Sequence, residues 1–290
     1  MTDTTTLNRI IQSERIVGLL RGSHLPAPVY PWVVWGLTIG AGVGTSISIP
    51  RVDDVETNSG DKAEGDEFAL VETATDRATM AFGYVGHADE VTDEASYDAQ
   101  EGAMAIVVEK GVRALMHRVD ADVHTLGATA ATMTDLTDEA MTEEGFIDMQ
   151  TDYAANQPHE GSSAAVFGPF QIRDLKISLK NNGNSMWGAD AGSKAMAEML
   201  KIQTAGFQGE LHGTPVYRAG NVVTALGNHT GYMAKTGVGG ALAYGVKERA
   251  GVEYDRKPRS KLWEVTIAAR YGLAISDPLN IHGIRSRSAV

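Results

Sequence analysis

Apolar residues recur every three or four positions through one long, proline-free stretch, 98–127. This spacing places them on one face of an α-helix, roughly 40 Å long at about 1.5 Å per residue. Thr92 and two acidic residues suit the approach to a helix N-terminus, and Gly127 suits a helix end. The stretch therefore predicts a spine helix against which other elements pack. Its apolar face comprises Met104, Val108, Val112, Leu115, Val119, Val123 and Leu126.

Shorter patterns predict strands and two further helices around this spine. The clearest strand is 262–276, where Trp263, Val265 and Ile267 alternate with polar neighbours. The other predicted strands are 44–50, 78–84, 163–167 and 213–218, and the other predicted helices are 137–153 and 189–203. The sequence shows neither a repeat nor a βαβ series, so the pattern predicts an α+β fold.

The segment 51–76 interrupts this pattern with nine carboxylates. Arg51 and Lys62 are its only basic residues, and few apolar residues precede Glu67. Because a strand is predicted on each side, we expect a hairpin that projects from the body. A long polar loop inside a compact domain is usually functional or disordered. This one has little apolar surface of its own to bury, so we expect it to pack on a neighbouring molecule.

Composition narrows the possible chemistry and location. The 290-residue chain is 43% apolar, which allows a sizeable core in one or two domains. It has no cysteine, which excludes disulfides, thiolate catalysis and cysteine-based metal sites. The sequence has no apolar run of about 18 residues and starts with polar residues, so we expect neither a membrane span nor a signal peptide.

Charge is unevenly distributed within the net value of −12. Between Arg118 and Arg173 the sequence has ten Asp or Glu and no Lys or Arg. From Lys247 onward, nine basic residues outweigh five acidic ones. We expect the chain as a whole to repel nucleic acid while local basic faces tolerate it, and solvated charged faces are the simpler alternative.

Motifs for catalysis, cofactors and metals are weak. The glycines of 40–44 follow an apolar run, but a dinucleotide fingerprint needs a third glycine one residue later and a helix, where a strand pattern follows. His117 and His124 could share a helix face but lack the spacing of a zinc pair. The carboxylates of 139–144 have no convergent histidines or glycines and suit a solvated helix face. The sequence predicts no catalytic, cofactor or metal site.

The order of elements and several stretches resemble the major capsid proteins of tailed phages with the Hong Kong 97-type fold. Residues 44–50 resemble the strand that leads from an N-terminal arm into an extended loop, and 91–98 resemble the entry to a spine helix. Residues 243–256 and 263–278, which include Arg270-Tyr271-Gly272, resemble the closing part of such proteins. The resemblance covers nearly the whole chain through loose motifs.

This resemblance implies a capsid fold with five parts. They are an N-terminal arm at 1–45, an extended loop hairpin at 46–88, the spine helix and part of a peripheral domain at 89–155, a mainly axial domain at 156–240, and a return to the peripheral domain at 241–290. It also implies a non-enzymatic coat protein that self-assembles through hexamers and pentamers into an icosahedral shell around double-stranded viral DNA.

The implied setting is the virion capsid, and the host cytoplasm during assembly. The implied partners are copies of the same chain, a separate scaffolding protein, portal and decoration proteins, and packaged DNA held by non-specific contact, with no membrane. Two alternatives stay open. One is an encapsulin-like nanocompartment, which has the same fold around protein cargo, and the other is a soluble enzyme with an unrecognised site.

The distribution of charged residues indicates which residues are candidates for contacts in such a shell. We expect loop carboxylates to meet the dense basic cluster of an adjacent subunit near 256–261. The candidate inter-subunit contacts are Arg51, Asp53, Asp54, Glu56, Asp61, Lys62, Glu64, Arg256, Lys257, Arg259 and Lys261. The candidate DNA-facing residues, all on the arm, are Arg9, Arg15 and Arg21.

Overall fold

A computed structural model of the protein describes two β-sheets and three α-helices. The described residues are 28–39, 44–52, 75–94, 103–136, 139–156, 161–181, 206–222, 224–225 and 228–287. Their helices are α1 (Ala103–Gly127), α2 (Glu143–Asn156) and α3 (Pro169–Asn181). Their strands are β1 (Trp35–Thr38), β2 (Ser46–Val52), β3 (Thr75–Thr92), β4 (Thr132–Leu136), β5 (Ser163–Phe167), β6 (Phe207–Leu211), β7 (Thr214–Arg218), β8 (Thr224–Ala225), β9 (Asn228–Lys235), β10 (Leu242–Lys257), β11 (Leu262–Ile275) and β12 (Ile281–Arg287).

The five-stranded sheet has the order β1-β10-β11-β3-β2. Its longest strand, β3, pairs with β2 along 75–81 and with β11 along 81–92. β1 is parallel to β10, and the other neighbouring pairs are antiparallel. The predicted strands at 44–50, 78–84 and 262–276 are confirmed as β2, β3 and β11, and β3 is much longer than predicted.

The seven-stranded sheet has the order β4-β12-β9-β5-β7-β6, with β8 paired to β9. The predicted strands 163–167 and 213–218 are confirmed as β5 and β7. The sequence did not predict β9, because six of its eight residues are buried and the strand lacks the alternation of a half-exposed one. Both faces of this sheet are therefore covered by other elements.

α1 packs against both sheets and confirms the predicted spine helix. Near its middle, Leu115 belongs to a buried cluster with Val265 of β11. Toward its end, Val123 packs with Tyr232 of β9. The predicted residues 98–102 lie outside the described part of the chain, and the described helix begins at 103.

Gly127 ends α1 for a reason that differs from the predicted one. Its φ lies outside the left-handed region, so it is not a left-handed helix cap. A Cβ atom at this position would lie 2.5 Å from the ring of Tyr232. The absence of a side chain instead lets the buried tyrosine ring approach the helix backbone.

α2 and α3 pack side by side on one face of the seven-stranded sheet. Phe146 of α2 and Leu175 of α3 are fully buried. They share a cluster with Phe167, Met233 and Ile284 of the sheet. The opposite face of the sheet, which includes Val166 and Tyr232, packs against α1.

Sequence patterns located these helices only in part. The predicted helix 137–153 is confirmed from Glu143 onward as α2, but its predicted start is wrong, because 139–142 are not helical. Thr142 caps the helix instead, with its Oγ1 atom accepting a hydrogen bond from the Gly145 N–H at 3.1 Å. α3 was missed because Gly168-Pro169 suggested a break. Pro169 instead occupies the first helical position, and the side chain of Gln171 accepts a hydrogen bond from the Gly168 N–H at 3.1 Å. The predicted helix 189–203 lies outside the described residues.

Residues 28–39, from the predicted N-terminal arm, pack into the body of the protein. Val29 and Val33 are fully buried. The Tyr30 ring lies 5.4 Å from that of Tyr244, and β1 then pairs with β10. This stretch is therefore part of the core of the described structure.

Candidate inter-subunit surfaces

A basic turn joins β10 and β11. It carries Arg256, Lys257, Arg259 and Lys261, all of which are exposed. The backbone N–H of Asp93, just after β3, donates to the Lys261 carbonyl at 2.9 Å. The turn is therefore held against the end of β3, and we refer to these four side chains as the basic turn.

Carboxylates of the same chain neutralise only part of this turn. Arg256 Nη2 lies 3.3 Å from Asp93 Oδ2, and its guanidinium lies 5.5 Å from the centre of the Trp263 ring. Lys257 forms an ion pair with Glu264. Arg259 and Lys261 have no ion pair with any residue that the structure describes. The tip of the turn therefore presents two cations, Arg259 and Lys261, to solvent.

Arg51 lies at the opposite end of the five-stranded sheet. Its Nη2 atom is 3.0 Å from Asp76 Oδ2, and its Nη1 atom is 3.9 Å from Asp277 Oδ1. The Arg51–Asp76 pair joins β2 to β3 at the base of the carboxylate-rich segment. Arg51 thus has partners within its own chain, and its predicted contact with another subunit stays a prediction.

A second charged surface is the exposed face of α2. Glu144, Asp148 and Thr151 are exposed there, and Ile147 between them is 42% exposed. Their spacing places all four on the side of the helix opposite buried Phe146. We refer to Glu144, Ile147, Asp148 and Thr151 as the acidic helix face.

A basic cavity of about 410 Å³ lies on the far side of α3, next to β6 and β7. Arg173 and Lys176 of α3 line it together with Arg218 at the end of β7, and Ile177 adds an apolar wall that is 50% exposed. Lys176 Nζ donates to Gln208 Oε1 at 3.1 Å. No carboxylate is among the described residues that line this basic cavity.

The cations of the basic cavity are close enough to affect one another. Partial burial, followed by the positive charge of Arg218, lowers the pKa of Lys176. Arg173 is balanced by Asp174, with Nη2 and Oδ1 2.8 Å apart. The cavity is thus electrostatically suited to an incoming carboxylate, which would relieve the repulsion between Lys176 and Arg218.

Solved structures of shell proteins match this architecture over most of their lengths. The capsid of cyanophage P-SCSP1u matches with a TM-score of 0.65 and 14% identity, over 91% of this chain and 89% of that one. The capsid of a native GTA particle matches with a TM-score of 0.67 and 12% identity, over 88% of each chain. The SrpI encapsulin of Synechococcus elongatus PCC 7942 matches with a TM-score of 0.67 and 12% identity, over 100% of this chain and 94% of that one.

The chain has the Hong Kong 97-type capsid fold. No protein-family model and no curated protein matches the sequence. In the described part of this capsid fold, none of the helices combines the length and the apolar character that a membrane span requires. The same residues contain no cluster of three or more His, Asp or Glu with metal-site geometry.

A buried polar network joins three parts of this capsid fold. Asp120 Oδ1 on α1 accepts hydrogen bonds from the N–H groups of Val29 at 2.7 Å and Tyr30 at 3.0 Å. His124 Nε2 lies 3.2 Å from Asp120 Oδ2, off the line of a good hydrogen bond, and His124 Nδ1 lies 2.8 Å from the Tyr232 hydroxyl. The network fixes residues 28–39 to α1 and to the seven-stranded sheet.

The ionisation of Asp120 is tied to this network. Burial opposes its charged form, but the adjacent His124 side chain and the N–H groups of Tyr30 and Val29 outweigh burial and lower its pKa. His124 is 1% exposed, which suits a structural role better than the metal pair with His117 that the sequence analysis considered. Sequence reasoning missed Asp120 altogether, because its partners lie about ninety residues away.

The structure brings together four of the predicted contact residues and places a fifth elsewhere. The four form the basic turn, and Arg51 lies at the far end of β3. The remaining candidates lie outside the described residues; they are Asp53, Asp54, Glu56, Asp61, Lys62, Glu64, Arg9, Arg15 and Arg21. The basic cavity was missed because Arg218 is distant in sequence from Arg173 and Lys176. Its one local signal, two cations three residues apart, depended on recognising α3.

Proposed function

We propose that this protein is a major capsid protein that self-assembles into an icosahedral shell around double-stranded viral DNA. The observation that carries the proposal is the match to phage capsid structures over about nine-tenths of both chains. A match of that extent leaves little of the chain for an additional domain. The proposed partners are copies of the chain in hexamers and pentamers, a separate scaffolding protein, portal and decoration proteins, and DNA held through non-specific contact. The proposed locations are the virion capsid and the host cytoplasm during assembly.

We assign the two sheets to different parts of a shell subunit. The seven-stranded sheet with α2 and α3 is proposed to form most of the axial domain. This unit also takes β4, most of α2 and β12 from outside 156–240, so the proposed axial domain combines two stretches of the chain, 132–235 and 281–287. The five-stranded sheet and α1 are proposed to form the peripheral domain and the base of the extended loop.

The loop carboxylates are proposed to meet the basic turn of an adjacent subunit. The segment 53–74 joins Val52 to Thr75, which are paired neighbours, whereas the basic turn lies beside Thr92. β3 has 18 residues, roughly 55 Å at about 3.3 Å per residue. The segment 53–74, doubled back from its base, extends at most about 37 Å. This reach is shorter than β3, so the segment would fall short of the basic turn of its own chain, and the geometry favours a partner in a second subunit.

Each contact of this kind contributes little by itself. An exposed ion pair is worth on the order of 0.5 kcal/mol. The same pair repeated at every subunit boundary of a closed shell would still favour one geometry over others. We therefore propose that these charges select the correct neighbour more than they strengthen the shell.

The second candidate function is an encapsulin-like nanocompartment shell. The match to the SrpI encapsulin favours it, because that structure covers the whole of this chain at a TM-score equal to that of the GTA capsid. The two functions share a shell and differ in its contents. Packaged DNA indicates a viral capsid, and a co-purifying protein cargo indicates a nanocompartment.

The test is to express the full chain together with its neighbouring genes and to examine the product by negative-stain electron microscopy and light scattering. We expect closed icosahedral particles tens of nanometres across that contain nuclease-protected DNA. Particles that contain a protein cargo instead would support the second candidate. A uniform small oligomer under these conditions would overturn both functions and favour a soluble enzyme.

A further inference from the structure

The acidic helix face lacks any cation supplied by its own stretch of chain. The sequence has no Lys or Arg between Arg118 and Arg173, and α2 lies within that interval. Ile147 stands between two exposed carboxylates on this face. A surface with charges of one sign is electrostatically suited to a partner surface of the opposite sign.

The basic cavity has the complementary character. Ile177, which is half exposed, stands among three cations from two separate elements. Partial burial is the main cause of the lowered pKa of Lys176, and the positive charge of Arg218 beside it adds to the effect. A carboxylate-bearing helix with one exposed apolar side chain would match this cavity in charge and in polarity.

α2 and the basic cavity lie toward opposite edges of the seven-stranded sheet. α2 packs chiefly over β4 and β12, at one edge of the seven-stranded sheet. α3 comes next, and the basic cavity lies beyond it, beside β6 and β7 at the other edge. A helix placed in the cavity would therefore lie beside α3, on the side away from α2.

We propose that the basic cavity of one subunit binds the acidic helix face of the next copy of this chain. The contact seats Ile147 against Ile177 and brings Glu144 and Asp148 to Lys176 and Arg218. This contact rests on the proposed shell function, and it specifies which surfaces join neighbouring subunits within a ring.

The positions of α2 and the basic cavity also bear on the symmetry of this contact. A two-fold dimer would need both surfaces of one subunit to meet the same partner, which is disfavoured because α2 and the cavity lie toward opposite edges of the sheet. A head-to-tail arrangement pairs opposite charges at every boundary, and such contacts generate a closed ring when the rotation between subunits closes. The proposed contact therefore disfavours two-fold dimers and supports pentamers or hexamers.

The absence of cysteine from the sequence permits a direct test. The full chain carrying both Ile147→Cys and Ile177→Cys is assembled into shells, oxidised and run on a non-reducing gel. We expect covalent ladders that end at pentamers and hexamers, whereas either single variant stays monomeric on the gel. Intact shells of the double variant that yield only monomers would overturn the proposal. Dimers from a single variant would also overturn it, because they indicate a two-fold contact.

A charge exchange tests the same contact without crosslinking. Glu144→Lys with Asp148→Lys should reduce shell yield about tenfold or more, since like charges at an interface cost several kcal/mol. Lys176→Glu with Arg218→Glu should have the same effect, and the two pairs together should restore assembly. The control variant Lys176→Arg with Arg218→Lys keeps the charge and should assemble normally.

The outcomes separate this inference from the proposed function. If the unaltered chain forms no shells, the proposed function fails. If it forms shells whose yield is unchanged by both charge reversals, the shell function stands and this contact is wrong.

Discussion

The two sheets of this protein differ in how much of their surface the same chain covers. In the seven-stranded sheet, six of the eight residues of β9 are buried, and helices cover both faces. In the five-stranded sheet, β10 is buried near Leu242 but mostly exposed from Glu248 to its end at Lys257, with Val252 half-buried. The first region is stabilised by its own packing. The second extends a charged hairpin beyond its core, as expected for a surface completed by a neighbour.

Truncation of a buried aromatic residue should have the largest effect on stability. Phe146→Ala would leave a cavity beneath α2, and such changes cost about 3–5 kcal/mol. Tyr254→Ala, on the exposed half of β10, should cost no more than about 1 kcal/mol. Urea unfolding of the unassembled protein measures both values. Similar losses for the two variants would contradict the contrast between the sheets.

Loss of the Asp120 carboxylate should have the next largest effect. Asp120→Asn weakens the hydrogen bonds that hold Val29 and Tyr30, and the expected cost is about 2–4 kcal/mol. The matched change Glu109→Gln removes an exposed ion pair with Arg113 on the same helix and should cost about 0.5 kcal/mol. Equal costs would mean that the buried network does not anchor residues 28–39.

The same aspartate predicts a pH dependence. Its pKa is lower in the folded protein than in the unfolded chain. Its charge therefore stabilises the fold above about pH 4, and this contribution is lost as the pH falls through the lowered folded-state pKa. The unfolding free energy of Asp120→Asn should decline less steeply than that of the unaltered protein over that acidic range. Parallel pH profiles would assign the acid sensitivity to other carboxylates.

Two glycine substitutions compare how tightly the backbone is packed at the end of α1 and in the exposed half of β10. Gly127→Ala would place a methyl group against the Tyr232 ring, and overpacking of this kind costs about 1–3 kcal/mol. A methyl group added at Gly251, in the exposed half of β10, would meet no atom of the described residues within 4 Å, so Gly251→Ala should be neutral or slightly stabilising. Differential scanning calorimetry of the two unassembled variants checks the ranking. A more harmful Gly251→Ala would show that the hairpin is packed more tightly than its exposure indicates.

Sequence patterns predicted the elements that have one buried and one exposed face, because such elements show a clear helical or strand periodicity. β11 alternates and α1 repeats at three and four residues, so each was located from its own residues. β9 lacks alternation because both of its faces are buried, and α3 begins at a Gly-Pro pair that also occurs in turns. Contacts between distant parts of the chain, such as Asp120 with residues 29–30, leave no local signal.

Candidate contact residues could be predicted where charged residues lie close together in the sequence. The basic turn has four cations within six residues, so its composition alone identified it. The basic cavity draws its cations from α3 and β7, which only the fold brings together. Local clusters are therefore found from composition, whereas surfaces shared between elements need the three-dimensional structure.

Charge reversal in the basic turn should have the smallest effect on stability, although it should reduce shell assembly. Arg259→Glu with Lys261→Glu changes two exposed side chains that have no ion pair with a described residue. Unfolding free energy of the unassembled protein should change by less than about 0.5 kcal/mol. Shell yield should fall, because the reversed charges would repel the loop carboxylates of the adjacent subunit.

Light scattering and electron microscopy measure that yield, and Arg259→Lys with Lys261→Arg is the matched control because it keeps both charges. Arg256 and Lys257 are left unchanged, since each already has a carboxylate partner in its own chain. Normal shells from the reversed variant would show that the carboxylate-rich segment finds a different partner. Loss of shells with unchanged stability would instead place the function of this hairpin at the boundary between subunits, where its own chain leaves it uncovered.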